Sequence, residues 1–176
     1  MKRTVLITTL ALTTIVAWQS AVARSGQAAD PTPEMANDKA TARNFTIVLI
    51  PPSDGALEDV LKAEVSKAKQ AGLKPYAYFY ADWCGPCKAL RKSLDDSDPL
   101  MLDAFSGTYI IQLDADTWGK KLKGTKFTVK AIPVLFELGK DGKPTGRKID
   151  GGAWGEDIPK NMAPPLKAFF QKSSQK

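Results

Sequence analysis

Cys84 and Cys87 are the only cysteines among 176 residues, and two positions separate them. Any covalent or metal chemistry that one performs it therefore performs with the other. In the chain-entropy account, a bridge closing so short a loop contributes only ~2 kcal/mol, against ~4.7 for a hundred-residue loop, so stapling is a poor reason for this spacing. A structural zinc would need four ligands, yet the chain has no histidine and no second cysteine pair. Reversible exchange between dithiol and disulfide is the use that suits the spacing.

The surrounding elements suit it too. Pro75 opens an apolar, aromatic run, Tyr76 to Ala81, that has the composition of a buried strand, and the cysteines follow at once. After them Ala89, Leu90 and Leu94 predict a helix. Cys84 thus stands at a strand-to-helix junction, where unpaired backbone N–H groups and the positive end of the helix dipole favour a thiolate. Lowering a thiol pKa from ~8.5 to ~7 raises the thiolate fraction at pH 7 from about 3% to about 50%, and the accompanying loss of nucleophilicity leaves roughly a threefold gain in attack. Cys84 is the expected attacking sulfur, and Cys87, one turn on and expected to be more buried, the resolving one. Pro86 gives up an N–H that an early helix position leaves unpaired, and Gly85 lets another backbone approach the sulfur.

The other elements follow from periodicity and punctuation. Phe45 to Ile50 predicts a first strand ended by Pro51-Pro52. Leu57, Val60, Leu61, Val65 and Ala68 predict a helix over about 55–71, capped by Ser53 or Asp54 and stopped by Gly72. Asp98-Pro99 begins another helical turn, and Tyr109 to Leu113 is a third strand, followed by a Gly- and Lys-rich connection to about Val129. Val134 to Leu138 and Arg147 to Ile149 flank a turn with Asp141-Gly142 and predict an antiparallel hairpin. Pro164-Pro165 is expected to start a final helix carrying Leu166, Phe169 and Phe170. The order βαβαβ then ββα predicts an α/β fold with a central mixed β-sheet flanked by helices.

Ahead of this domain, residues 1–23 have the pattern of a secretory signal peptide: Lys2 and Arg3, an apolar stretch from Val5 to Ala17, then Ala21-Val22-Ala23. The stretch is short of the ~20 residues needed to span a bilayer, so no stable membrane insertion is expected after cleavage. Residues 24–43, poor in large apolar side chains, are expected to be a flexible lead-in, with the folded domain over 44–173. Export implies a periplasmic or secreted location, where adjacent thiols would not stay inert. Removing the signal takes away two cations and no acid and leaves a net charge of +4. With lysines scattered and densest at Lys120, Lys121, Lys123 and Lys126, no nucleic-acid partner is expected.

The run Tyr80-Ala81-Asp82-Trp83-Cys84-Gly85-Pro86-Cys87-Lys88 resembles the active-site segment of the thioredoxin family. Ala131-Ile132-Pro133, 46 residues after Cys87, resembles that family's cis-proline element, and Gly151-Gly152 with the closing helix resembles its end. The resemblance covers roughly Asn44 to Gln171. It implies a thioredoxin-like fold with Cys84 and Cys87 catalytic, and with Trp83, Gly85, Pro86, Ile132 and Pro133 contacting the substrate. With no histidine, no second cysteine pair and no cofactor motif, no metal or cofactor is expected; the resemblance implies disulfide-containing protein substrates and a membrane thiol-electron donor. The Gly-Pro pair and Ile132 resemble reducing members; an oxidase or isomerase of the same fold and a non-enzymatic peptide-binding module are the alternatives. One departure stands out. The acid usual six residues before the first cysteine is Tyr78 here, its usual lysine partner is Gln112, and Glu137 is the candidate substitute for the acid.

Overall fold

A computed structural model describes residues 43–53 and 55–172. The expected signal segment 1–23 and all of the expected lead-in except Arg43 lie outside these residues, as does the candidate cap Asp54. Arg43 is already tied to the domain: its guanidinium donates to the Leu94 carbonyl at 3.3 Å and to Ser97 Oγ at 3.2 Å.

Five strands, β1 (Thr46–Leu49), β2 (Lys74–Tyr80), β3 (Thr108–Asp114), β4 (Val134–Leu138) and β5 (Pro144–Asp150), form one sheet in the order β1-β3-β2-β4-β5. β3 pairs parallel with both β1 and β2, whereas β4 runs antiparallel to β2 and β5 antiparallel to β4, which makes the sheet mixed as expected. β2 lies at the centre and is buried on both faces from Tyr76 to Tyr80. Its period-two alternation divides the core. Tyr76, Tyr78 and Tyr80 join a cluster with Cys84, with Cys87, Leu90 and Leu94 from α2 (Gly85–Asp95), with Phe105 from α3 (Pro99–Phe105), and with residues of the last helix. Ala77 and Phe79 join a second cluster under α1 (Leu57–Gln70). Each large apolar side chain buried in this way contributes roughly 1.5–3 kcal/mol.

Two helix boundaries differ from the sequence-based expectation, and one short helix was not expected. α1 starts at Leu57 with Ala56 at its N-cap and no side-chain cap, so Ser53 is not the cap. Glu58 and Asp59 in the first turn and Lys67 and Lys69 in the last complement the helix dipole instead. The Gly- and Lys-rich connection contains a short helix, α4 (Ala115–Trp118), capped by Asp114, whose carboxylate accepts the Thr117 N–H at 2.9 Å. It exists because Trp118 is buried, with its indole N–H donating to the Ile50 carbonyl at 3.2 Å. Finally, α5 (Pro159–Gln171) begins at Pro159, five residues before the expected start, and Pro164 and Pro165 lie inside it. The prolines remove two internal hydrogen bonds, but Met162 and Ala163 ahead of the pair are buried and hold the first turn against the core.

Gly142 sets the β4–β5 hairpin against α1. Its φ is +79°, and a Cβ there would lie 2.6 Å from the Lys62 nitrogen and 2.9 Å from the Glu58 carbonyl. Only glycine fits both requirements. No helix of the described residues is long and apolar enough to cross a membrane.

Candidate active site

The chain leaves β2 at Tyr80 and enters α2 at Gly85, and Cys84 is the N-cap residue. Cys84 and Cys87 are joined, with S–S 2.06 Å and Cα–Cα 5.3 Å. The Cys87 N–H donates to Cys84 Sγ at 3.2 Å, so an otherwise unpaired amide of the first helical turn is aimed at this sulfur. Pro86 stands within that first turn, where the N–H it lacks has no intrahelical carbonyl to reach. A Cβ built on Gly85 meets nothing within 4 Å, so the space beside the disulfide is open.

Burial does not separate the two cysteines as expected: both are 3% exposed. Both belong to the apolar cluster beneath α2, so helix position is what distinguishes them. Cys84 receives the amide, and Cys87 lies one turn in on the face that also carries Leu90 and Leu94.

Trp83 precedes the pair with 67% of its surface exposed, and its indole N–H donates to Asp116 Oδ2 at 2.9 Å. Asp116 belongs to α4, an element the sequence reading left inside the connection. The Asp114-x-x-Thr117 cap was the available signal for it.

On the opposite side, the Ile132–Pro133 peptide bond is cis. Val134 pairs with Phe79, so the same antiparallel register carried one residue further sets Pro133 beside Tyr80, at the end of β2 where the cysteine loop begins. Pro133 is buried, and its carbonyl accepts the Gly151 N–H at 3.0 Å. Ile132 packs against both core clusters. Trp83, Cys84, Gly85, Pro86 and Cys87 therefore gather with Ile132 and Pro133 at one end of the sheet. Trp154, not singled out from the sequence, shares the cysteines' cluster, and its indole N–H donates to Asp157 Oδ1 at 2.9 Å.

Glu137 is not in that neighbourhood. It pairs with Tyr76 at the opposite end of β2, four strand positions from Pro133, and its carboxylate accepts from Arg147 at 2.9 Å and from Thr145 at 2.8 Å. Four positions amount to about 13 Å of strand, too far for direct proton exchange with either cysteine. Tyr78 and Gln112, by contrast, are cross-strand neighbours. Among the described residues, no group of three or more His, Cys, Asp or Glu could hold a metal ion.

The family model described as Thioredoxin matches residues 58–164, which include both cysteines and Pro133. The chain belongs to the thioredoxin family. Its mixed five-stranded sheet with flanking helices is the thioredoxin-like fold, and the match takes in the helix-start disulfide and the cis-proline loop. The chain is 31% identical over 128 residues to Protein disulfide isomerase-like 5-3 of Oryza sativa subsp. japonica, covering 71% of this thioredoxin-family chain but only 29% of that protein. It is 32% identical over 94 residues to the thioredoxin of Staphylococcus haemolyticus, covering 53% of this chain and 84% of that one. Among solved structures, the disulphide isomerase of Xylella fastidiosa Temecula1 is 20% identical with a TM-score of 0.46, covering 70% of this chain and 95% of the other.

Proposed function

We propose that this chain is a thiol–disulfide oxidoreductase that reduces disulfides in exported proteins through the Cys84/Cys87 dithiol. The observation that carries the proposal is the Cys87 amide aimed at Cys84 Sγ at the start of α2. In the reduced protein that amide and the helix dipole stabilise a Cys84 thiolate. The thiolate attacks one sulfur of a substrate disulfide and forms a mixed disulfide with it; the substrate's S–S bond breaks, and the other substrate sulfur leaves as a thiolate and takes up a proton. Cys87, losing its own proton, then attacks Cys84 Sγ and expels the substrate sulfur bound there, which is protonated in turn, so the substrate gains two electrons and the protein returns to its disulfide.

The other residues have roles that fit this sequence of events. Trp83 offers an exposed apolar surface beside the sulfur, and the open space at Gly85 and Pro86 admits a substrate backbone. Ile132 and Pro133, at the same end of the sheet, provide the facing wall for that backbone. Residues 1–23 act as an export signal, so the protein works in the periplasm or outside the cell. A membrane thiol-electron donor re-reduces it, because the chain carries no second cysteine pair.

A second reading keeps the chemistry and reverses or shuffles the flow, as an oxidase or isomerase; the 31% identity to a rice protein disulfide isomerase-like protein favours it. Redox titration against glutathione separates the two. A potential near -270 mV supports the reductase, and one between about -180 and -120 mV supports the alternative. Failure to exchange with any disulfide would overturn both.

A further inference from the structure

At the end of the sheet away from the cysteines, the last turn of α1, the start of β2 and the β4–β5 turn border an open cleft of about 490 Å³. Lys74 opens β2 and Tyr80 closes it, so six strand steps, or about 20 Å, separate this cleft from the start of the cysteine loop. The volume falls in the range of sites that hold a small ligand or a large side chain.

Its floor is apolar. Val65 and Leu138 are buried in the core cluster under α1, Leu73 packs half-buried against the same cluster, and Pro75, with no N–H, adds no donor. Its rim is basic. Lys69, Lys74 and Lys140 line it from three different elements, and all three are exposed. Among the described residues none of the three has an ion-pair partner, whereas nearby Lys67 and Lys143 are paired with Glu64 at 2.6 Å and with Glu58 at 3.5 Å. No acid lines the cleft, and the carboxylate of Asp141, next to Lys140, is turned onto the Lys143 N–H at 3.1 Å.

An apolar floor inside an uncompensated positive rim complements an apolar side chain flanked by carboxylates. A bilayer surface suits it less well. Insertion needs protruding apolar side chains, and the large ones that are exposed among the described residues, Leu49, Trp83 and Leu100, are not in the lining.

We propose that this cleft docks an acidic segment of a partner protein. One apolar side chain of that segment lies against Val65, Leu73 and Leu138, and carboxylates on either side of it pair with Lys69, Lys74 and Lys140. A partner held there leaves Cys84 open to a disulfide, so docking localises the protein without occupying its sulfurs.

The probe is a synthetic peptide with a central leucine between two aspartates on each side, titrated into the isotope-labelled protein in its disulfide form. Backbone amides of residues 66–74 and 138–140 are expected to shift and saturate while those of 83–87 stay in place. The triple variant Lys69→Glu, Lys74→Glu, Lys140→Glu should bind at least about tenfold more weakly. Replacing the peptide's leucine by serine should also cost about tenfold or more, the worth of burying one such side chain. The variant should keep the wild-type amide spectrum and its rate of exchange with a small disulfide, because the lysines are exposed and remote from the sulfurs. If the triple variant does not fold, each single variant is titrated and should weaken binding severalfold. Absence of a saturable shift, shifts confined to the cysteine end, or equal affinity for the variant or the serine peptide overturns the inference. So does sedimentation with phosphatidylglycerol vesicles in place of peptide binding, which would assign this face to a membrane.

Discussion

Gly151 donates its backbone N–H to the Pro133 carbonyl at 3.0 Å, and a Cβ on Gly151 would lie 3.3 Å from Pro133 Cδ and 3.8 Å from the Trp154 ring. The turn after β5 thus braces the cis-proline loop from behind, and a proline ring has little room to give. Gly151→Ala is expected to destabilise the protein by about 1 kcal/mol through overpacking, read as a lower urea midpoint with an unchanged slope. It should also slow exchange with protein substrates more than with dithiothreitol, because the displaced wall contacts only a polypeptide. Equal slowing of both would show that the brace serves the sulfurs directly.

Gly85 gives the complementary case. Nothing lies within 4 Å of a Cβ at this position, so Gly85→Ala should fold with a stability within about 0.5 kcal/mol of wild type, as changes away from packed features do. If the open space admits a substrate backbone, kcat/KM for a disulfide-bonded protein should fall severalfold while reaction with a small dithiol stays level. Unchanged protein kinetics would remove Gly85 from the substrate surface.

The division of labour between the sulfurs is checked by trapping. Cys84→Ser is expected to abolish exchange, whereas Cys87→Ser should form mixed disulfides that persist until dithiothreitol is added. Accumulation of adducts in Cys84→Ser and not in Cys87→Ser would reverse the assignment.

Tyr76 predicts an alkaline effect unrelated to catalysis. Its hydroxyl donates to the Phe170 carbonyl at 3.2 Å, and burial foremost, with the nearby Glu137 charge adding to it and Arg147 opposing, pushes its pKa up to about 12. A folded pKa above the unfolded value of about 10 means that the contribution is fully present below pH 10 and is lost as pH rises toward 12. The stability difference between wild type and Tyr76→Phe should therefore be constant at neutral pH and shrink between pH 10 and about 12 in denaturant titrations. A constant difference through that range would show that Tyr76 ionises alike in folded and unfolded chains.

Most of the site was legible because it lies on contiguous sequence: Trp83 to Cys87 is one run, and a proline before an apolar strand marks Pro133. β4 was found to the residue because Pro133 and Gly139 bound it. What escaped notice depends on packing. α1 begins at an alanine cap that carries no side-chain signal, and α5 begins at Pro159 because Met162 and Ala163 find a core surface ahead of the Pro164-Pro165 pair. Asp116 and Trp154 reach the site only through tertiary contacts, with Trp83 and the cysteine cluster respectively. Glu137 looked available as a buried acid until the strand register put it at the wrong end of β2.

That Cys84 and Cys87 are the chain's whole complement of sulfhydryls has a practical corollary for finding clients. Any polypeptide captured through a reducible crosslink must be attached at residue 84 or 87, so one peptide map of the crosslinked species identifies both the attachment point and the partner's own cysteine.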